Sequence, residues 1–225
     1  LAVFRGEAGH RQVAWDARGS GYADTVSELG WKTFHTEFEQ AQTLLKPLLT
    51  ARDPIATTYS NAIAIAIATN APMDDVRELA IEIVRGPHAQ NTSLHFAMMQ
   101  YLLPRWHGEP GMSEAYAANV AKMLAKSDGD AVYAKTIASI SAFGGPRGPV
   151  TLDMDLDLER LFRGTQAYYQ KWNDPDVMDM TLLLLHVAKK QEHVDKLLHL
   201  RAEKRILPGA TARAGWKTYR AMAGD

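Results

Sequence analysis

Asn61 to Asn70 reads NAIAIAIATN, and the reading of this stretch decides the fold. By itself the alternation of Ala and Ile has the period of two that marks a half-buried strand. Residue type and angular position both argue for a helix instead. Ala is the strongest helix former, Ile63 and Ile67 share one helical face, and Ile65 falls on the other, as in a helix packed between two neighbours. With a helix here, nothing in the chain requires a strand, and the expected class is all-α.

Upstream, Trp31, Phe34, Phe38, Ala41, Leu45 and Leu48 recur at intervals of three and four, which places all six on one face of a long helix that must be buried. Pro47 lies inside this pattern and predicts a kink or an early stop near Thr43 to Lys46, with Asp53-Pro54 as the clear boundary. A first helix is expected from Val3 to Arg18, anchored by Val13 and Trp15 and stopped by Gly19-Ser20-Gly21. Asp24 or Thr25 is the expected cap of the helix that follows. Downstream, Ala71-Pro72 and Asp74-Asp75 open a helix with Val76, Leu79 and Ile83 inward, closed by Gly86-Pro87.

Arg52-Asp53-Pro54 and Arg85-Gly86-Pro87 are 33 positions apart, each preceding a helix followed by a second, more charged one. That is the spacing of a tetratricopeptide-type hairpin. The expected architecture is therefore a set of antiparallel helical hairpins stacked as a tetratricopeptide-like, right-handed array. Residues 1–143 form the helical-repeat domain, and 144–225 a C-terminal helical extension packed on the same array. The later helices are anchored by Ala117, Val120 and Leu124, by Tyr133, Ile137 and Ile140, and then by Leu161, Tyr168, Trp172, Met180, Leu184, Val187, Val194 and Leu198. Phe143 to Pro149, FGGPRGP, is the linker candidate, and a short terminal helix with Trp216 and Tyr219 would cap the stack.

Tyr101 to Glu114, YLLPRWHGEPGMSE, holds the densest unusual chemistry. Pro104 ends a helix near Leu103, Gly108, Pro110 and Gly111 bend the chain, and Ser113 with Glu114 supplies cap-like residues for the next helix. Between them stand Arg105, Trp106, His107 and Glu109. A structural role would have Trp106 plug the seam between two helices. A functional role would make the segment a recognition loop. Met73 and Met112 are 39 apart, so this turn is enlarged by about six residues over the first copy, and insertions in helical arrays often mark the binding face.

The 225 residues carry 25 Lys+Arg against 26 Asp+Glu, a net charge of -1, and no cysteine. Global attraction to nucleic acid, disulfides, thiol catalysis and Cys-based zinc sites are all excluded. No apolar run approaches the ~20 residues of a membrane span, so no membrane partner is expected. The chain opens with Leu1, compatible with a removed signal peptide or a trimmed leading segment. The compartment stays open, with the cytoplasm favoured over the periplasm or secretion.

The histidines show no HExxH pair. Asp153, Asp155, Asp157 and Glu159 resemble the start of a calcium loop, but Leu158 stands where the turn glycine belongs and Gly164 where the bidentate Glu belongs, leaving an acidic first turn of a helix. Gly144, Gly145 and Gly148 lack a following Lys-Ser or Lys-Thr, and Gly19-Ser20-Gly21 lacks the spacing of a nucleophile elbow. No catalytic residue, cofactor or metal ligand is expected. Charge is segregated, however. Asp153 to Met180 has a balance of -4 and Lys189 to Arg220 one of +6, which makes the C-terminal helices a basic surface.

The segment Ala14 to Val26, AWDARGSGYADTV, followed by Gly30-Trp31 and Phe34 and later by YLLPRWHGEPG from Tyr101 to Gly111, resembles an uncharacterised bacterial family, the domain of unknown function 4034 family. The two motifs, with the helical spacing between them, cover about the first 140 residues. The resemblance implies a tetratricopeptide-like helical domain and brings no activity and no functional residues. The part after Pro149 has no such likeness.

These readings converge on a protein-protein interaction module, of the bacterial adaptor or toxin-neutralising (immunity-type) kind, whose partner is a protein. The candidate binding residues are Trp15, Arg18, Tyr22, Arg105, Trp106, His107 and Glu109. One alternative is a small-molecule-binding protein or enzyme with its site between the Arg18-Tyr22 turn and the Arg105-Glu109 loop. Another is weak contact of the basic C-terminal helices with nucleic acid, ranked last because the pI is about 6.8.

Overall fold

The stretch of alternating Ala and Ile is helical, the third of ten α-helices among the residues that the computed structural model describes, 2–21, 23–51, 54–143 and 155–206. In chain order these are α1 (Ala2–Arg18), α2 (Glu28–Leu49), α3 (Ala56–Thr69), α4 (Met73–Arg85), α5 (Thr92–Tyr101), α6 (Met112–Met123), α7 (Gly129–Ala142), α8 (Leu158–Trp172), α9 (Pro175–Val187) and α10 (Gln191–Glu203), with a 3-10 turn at Ala23–Thr25. No strand occurs among the described residues, and the fold is all-α. None of the described helices is long and apolar enough to cross a membrane. The chain divides into two compact units, one of residues 1–88 with Arg105–His107 and one of 89–104 with 108–225.

In the first unit α1 and α2 run antiparallel. Gly6 lies against Leu44, His10 Nδ1 is 2.6 Å from Glu37 Oε2, and the Trp15 ring centroid is 5.2 Å from that of Phe34. The α2 face read from the sequence is the core: Phe34, Phe38, Ala41 and Leu45 are buried with Ala14 and Ile65, and Trp31 and Leu48 border them. Four details differ from the sequence reading. Ser27, not Asp24 or Thr25, caps α2, accepting the Gly30 N–H at 3.0 Å. Pro47 does not stop the helix, which runs to Leu49. So near the end its missing donor removes only one bond of the ladder, and Thr50 Oγ closes the terminus on the Lys46 and Pro47 carbonyls at 3.3 and 3.2 Å. Val13 is exposed, and Trp15 is 40% exposed, because α1 turns Ala14 inward. The inward polar residue is Glu7, fully buried, which accepts from Asn61 Nδ2 of α3 at 2.8 Å and pairs with the Arg11 guanidinium. Arg11 Nη2 in turn donates to Asn61 Oδ1 at 3.1 Å.

α3 ends on Asn70 in the left-handed conformation, a short polar side chain that tolerates it. α4 then starts after Pro72 and buries Val76, Ile83 and Val84.

In the second unit α7 is central: α5, α6, α8 and α9 all pack on it. Ten of its fourteen residues are buried, among them Tyr133, Ile137 and Ile140, the anchors read from the sequence. α5 and α6 are antiparallel, with Ser113 Oγ donating to Met99 O at 3.1 Å. Ser113 is thus buried in packing and not a cap; the N-cap position of α6 is held instead by Gly111, at φ 86°. α9 and α10 are also antiparallel, Asp179 pairing with Arg201 and Leu185 packing with Val194 and Leu197. The helices on either side of the glycine-rich stretch 144–154, α7 and α8, pack closely on each other within the second unit. The stretch itself, like Trp216 and Tyr219 of the expected capping helix, lies outside the described residues.

Three expected core residues face out. Trp172 is the last residue of α8, where its ring lies 4.5 Å from Tyr168 and carries the Lys171 ammonium at 4.5 Å. Val187 ends α9 as the chain turns through Lys189 at φ 56°. Leu198 is exposed because Val194 and Leu197 set the inner face of α10, and the next residue is rotated ~100° from it.

The crossing of α7 and α8 is set by Gly164. A Cβ there would stand 1.9 Å from the Asp130 carbonyl oxygen and 3.0 Å from Ala134 Cβ. Backbone cannot yield as a flexible side chain would. Gly164→Ala is expected to destabilise the second unit by about 3 kcal/mol or more. Gly9→Ala in α1, where a Cβ meets nothing within 4 Å, should stabilise the first by about 0.5–1 kcal/mol. Urea unfolding of both variants measures the contrast.

Candidate functional site

The first group of sequence-derived candidates assembles at the end of the α1–α2 hairpin. Arg18 is the last residue of α1, and its guanidinium carbon lies over the Trp15 ring at 5.7 Å and over the Trp31 ring at 5.6 Å. Its Nη1 donates to the carbonyls of Gly19 and Gly21 at 3.2 and 3.1 Å. The indoles are held edge-on by the core, Trp15 against Phe34 and Phe38, and Trp31 against Phe34. Trp31 also stacks on His35 with 5.7 Å between centroids. Tyr22 lies outside the described residues.

The second group lies in the turn between α5 and α6. His107 Nε2 donates to Ile67 O of α3 at 2.8 Å, and Arg105–His107 belong to the first unit. Arg105 has a partner of its own. Trp106 is 41% exposed, so it does not plug a seam. Gly108 closes the turn: its N–H donates to Leu103 O at 3.3 Å, and a Cβ would stand 1.9 Å from Leu102 O, leaving room for glycine alone. Glu109 is exposed, its N–H directed at Met112 Sδ at 3.1 Å. Trp15 and Arg18 are therefore brought together by ring contact, while His107 and Glu109 are held by backbone bonds.

The sequence reading missed a cleft of about 390 Å³ within the second unit. Thr92, Ser93 and Phe96 of α5, Lys135, Ala138, Ser139 and Ala142 of α7, and Asp176, Val177 and Met180 of α9 line it. Ala138, Val177 and Met180 are buried and make an apolar floor, while Ser93, Lys135, Ser139 and Asp176 keep solvent exposure around it. Lys135 Nζ is 2.8 Å from Asp174 Oδ2 and 5.7 Å from the Tyr168 ring centroid, so its charge is balanced within the wall. The signal in the sequence was the run Ala138, Ser139, Ala142, small residues on one face of a helix with Lys135. Such a stripe reads equally well as close helix packing.

Local bonds fix each wall. Asn91 caps α5 by accepting from Ser93 N at 3.1 Å, and Asp174 caps α9 ahead of Pro175. Asp157 caps α8, accepting from Arg160 N at 2.9 Å, and Glu159 stands in its first turn, where an acidic residue complements the helix dipole as expected of this stretch; Asp130 of α7 pairs with Arg160 and Arg163. Asp153 is outside the described residues. Among the described residues no three of His, Asp and Glu gather to hold a metal ion. Arg213, Lys217 and Arg220, half of the +6 balance, also lie outside them.

Comparison of the chain with protein-family models, with curated proteins and with solved structures finds no match.

His95 anchors the α5 wall. It is buried, its Nε2–H donates to Ala89 O at 2.8 Å, and its Nδ1 accepts from the Tyr116 hydroxyl at 2.8 Å. With one nitrogen donating and the other accepting, the ring is neutral. Burial lowers its pKa below the ordinary 6.5, the bond to Ala89 O offsetting part of the shift, and burial also raises the Tyr116 hydroxyl. Below pH 6.5 the unfolded chain takes up a proton that the folded one does not. Stability from this site is thus complete above pH 6.5 and lost as pH falls toward the lowered value. The unfolding midpoint of the second unit should fall on acidification through this range, and His95→Gln should flatten that part of the profile.

Proposed function

We propose that the chain is a protein-interaction module that takes an extended peptide segment of a protein partner in the cleft between α5, α7 and α9. The observation that carries this reading is the cleft itself, about 390 Å³ with an apolar floor and polar groups around it. That volume and arrangement fit a site for a few side chains of a ligand. Hydroxyls of Thr92, Ser93 and Ser139 offer donors and acceptors to a peptide backbone, and the floor of Ala138, Val177 and Met180 favours an apolar anchor. Asp174 balances the Lys135 charge at 2.8 Å, and the one further charged side chain of the lining is Asp176.

Peptides selected from a displayed random library against the whole chain are expected to carry an apolar anchor and to lose at least ~10-fold in affinity for Ser139→Trp, which fills the cleft. Fluorescence polarisation measures the affinity, and thermal unfolding checks that the variant is folded. Undiminished binding to a folded Ser139→Trp protein would remove the cleft from the reading.

A further inference from the structure

We infer that Arg18 forms a carboxylate-binding site in the first unit, separate from the cleft and independent of the peptide reading. A guanidinium has five N–H donors. Both hydrogens of Nη1 are committed, to Gly19 O at 3.2 Å and Gly21 O at 3.1 Å. The donors left over are those of Nε and Nη2, and together they form the edge that meets a carboxylate through two parallel bonds.

No carboxylate of the described residues occupies that edge. Arg11, Arg77, Arg160, Arg163 and Arg201 are each paired with an acidic side chain. Arg18 bonds only carbonyls, and the nearest acid along α1, Asp16, accepts from Gln12 at 2.8 Å.

The edge is also held in place. The guanidinium lies over two indole rings, at 5.7 Å from Trp15 and 5.6 Å from Trp31, and both rings rest edge-on against Phe34. A side chain fixed by ring contacts and two hydrogen bonds has already lost most of its rotamer freedom, so a ligand need not bear that cost. Arg18 is half-buried and Trp15 is exposed, which puts the cation in reach of solvent beside a poorly hydrated surface. Water competes less well for a cation flanked by indoles than for one in the open.

One cation with one free edge matches a planar, singly charged group. A phosphate dianion is better served by several cations or by a row of backbone amides. The ligand class is therefore a carboxylate, for which a Glu side chain on a peptide is the probe.

The test follows the Arg18 Nε–H resonance in ¹⁵N-arginine-labelled full-length chain during titration with a blocked Glu-rich peptide, its Gln counterpart, and inorganic phosphate. Tryptophan emission provides a parallel readout. The Glu peptide is expected to move the Nε–H downfield in a saturable way and the Gln peptide to leave it in place. Arg18→Lys keeps the charge without the two-pronged edge, and should bind the Glu peptide about 10-fold more weakly. An unmoved Arg18 resonance in the wild-type chain would overturn the assignment, whatever the fold of the variant. A response to phosphate alone, or equal affinity in folded Arg18→Lys, would also overturn it.

Discussion

The second unit depends on burying α7 around nearly its whole circumference. Its sequence, GDAVYAKTIASISA, is built of Ala, Ile, Thr and Ser with one large ring, Tyr133. With Asp130 and Lys135 as its charged residues, such a helix has too little polar surface to lie open to water and must be enclosed by neighbours. Four helices do this, and the terms of their approach are small residues. Gly164 lets the backbone of α8 touch that of α7, and Ala131, Ala134 and Ala138 let neighbouring side chains reach in. Of the polar atoms that enclosure traps, Ser141 Oγ has no hydrogen-bond partner, and others are satisfied locally. Thr136 Oγ1 bonds Val132 O at 2.6 Å, Tyr133 Oη accepts the Asp157 N–H at 3.1 Å, and the Tyr133 hydroxyl is pushed up to about 12 by the same burial. The cleft opens on the side of α7 where this enclosure is least complete, at Lys135, Ser139 and Ala142.

The first unit solves a different problem, the placement of a buried charge. Glu7 has no exposed surface, and a carboxylate taken out of water without partners is strongly unfavourable. Arg11 and Asn61 supply the partners, and because Asn61 belongs to α3 the network joins α1 to a helix 54 residues along the chain. Removing one member would leave the others buried and unpaired, a larger penalty than the network's net contribution to stability. The buried triad therefore acts mainly on specificity: sliding α3 by one residue along α1 would swing Asn61 away and orphan the pair.

These two constraints explain what could be read from the sequence. The all-α class, the α2 face and the anchors of α7 were legible because each rests on apolar residues at helical spacing, a property of one segment alone. The inward residues at helix ends were not. Trp172 and Val187 have the right character, but whether a terminal residue faces in depends on where the helix stops, and Lys189 at positive φ stops α9 just past Val187. Glu7 was invisible for a related reason. An acid on an amphipathic helix reads as solvated until the Asn on a distant segment is placed beside it. Of the candidate sites, the Trp15–Arg18–Trp31 cluster was half legible: the residue types were noted from the turn motif, while the meeting of α1 with α2 that stacks them is tertiary.

The YLLPRWHGEPGMSE turn shows how unusual chemistry can be absorbed by construction. A turn of ten residues, 102–111, must find partners for many backbone and side-chain polar groups that no helix ladder provides. His107 serves the Ile67 carbonyl, at the C-terminal end of α3 where carbonyls lack ladder partners, and Gly108 serves the Leu103 carbonyl. Each polar group so employed is withdrawn from ligand binding, whatever its reactivity in isolation. Ordinary residues can do the reverse. Ser93 and Ser139 carry no distinctive motif, yet they stand at the rim of a preformed concavity because Asn91 caps α5 and α7 is already packed on its other sides. In an all-helical chain of this kind, a hydroxyl's place at a concavity is set by what the surrounding helices leave open more than by its own chemical type.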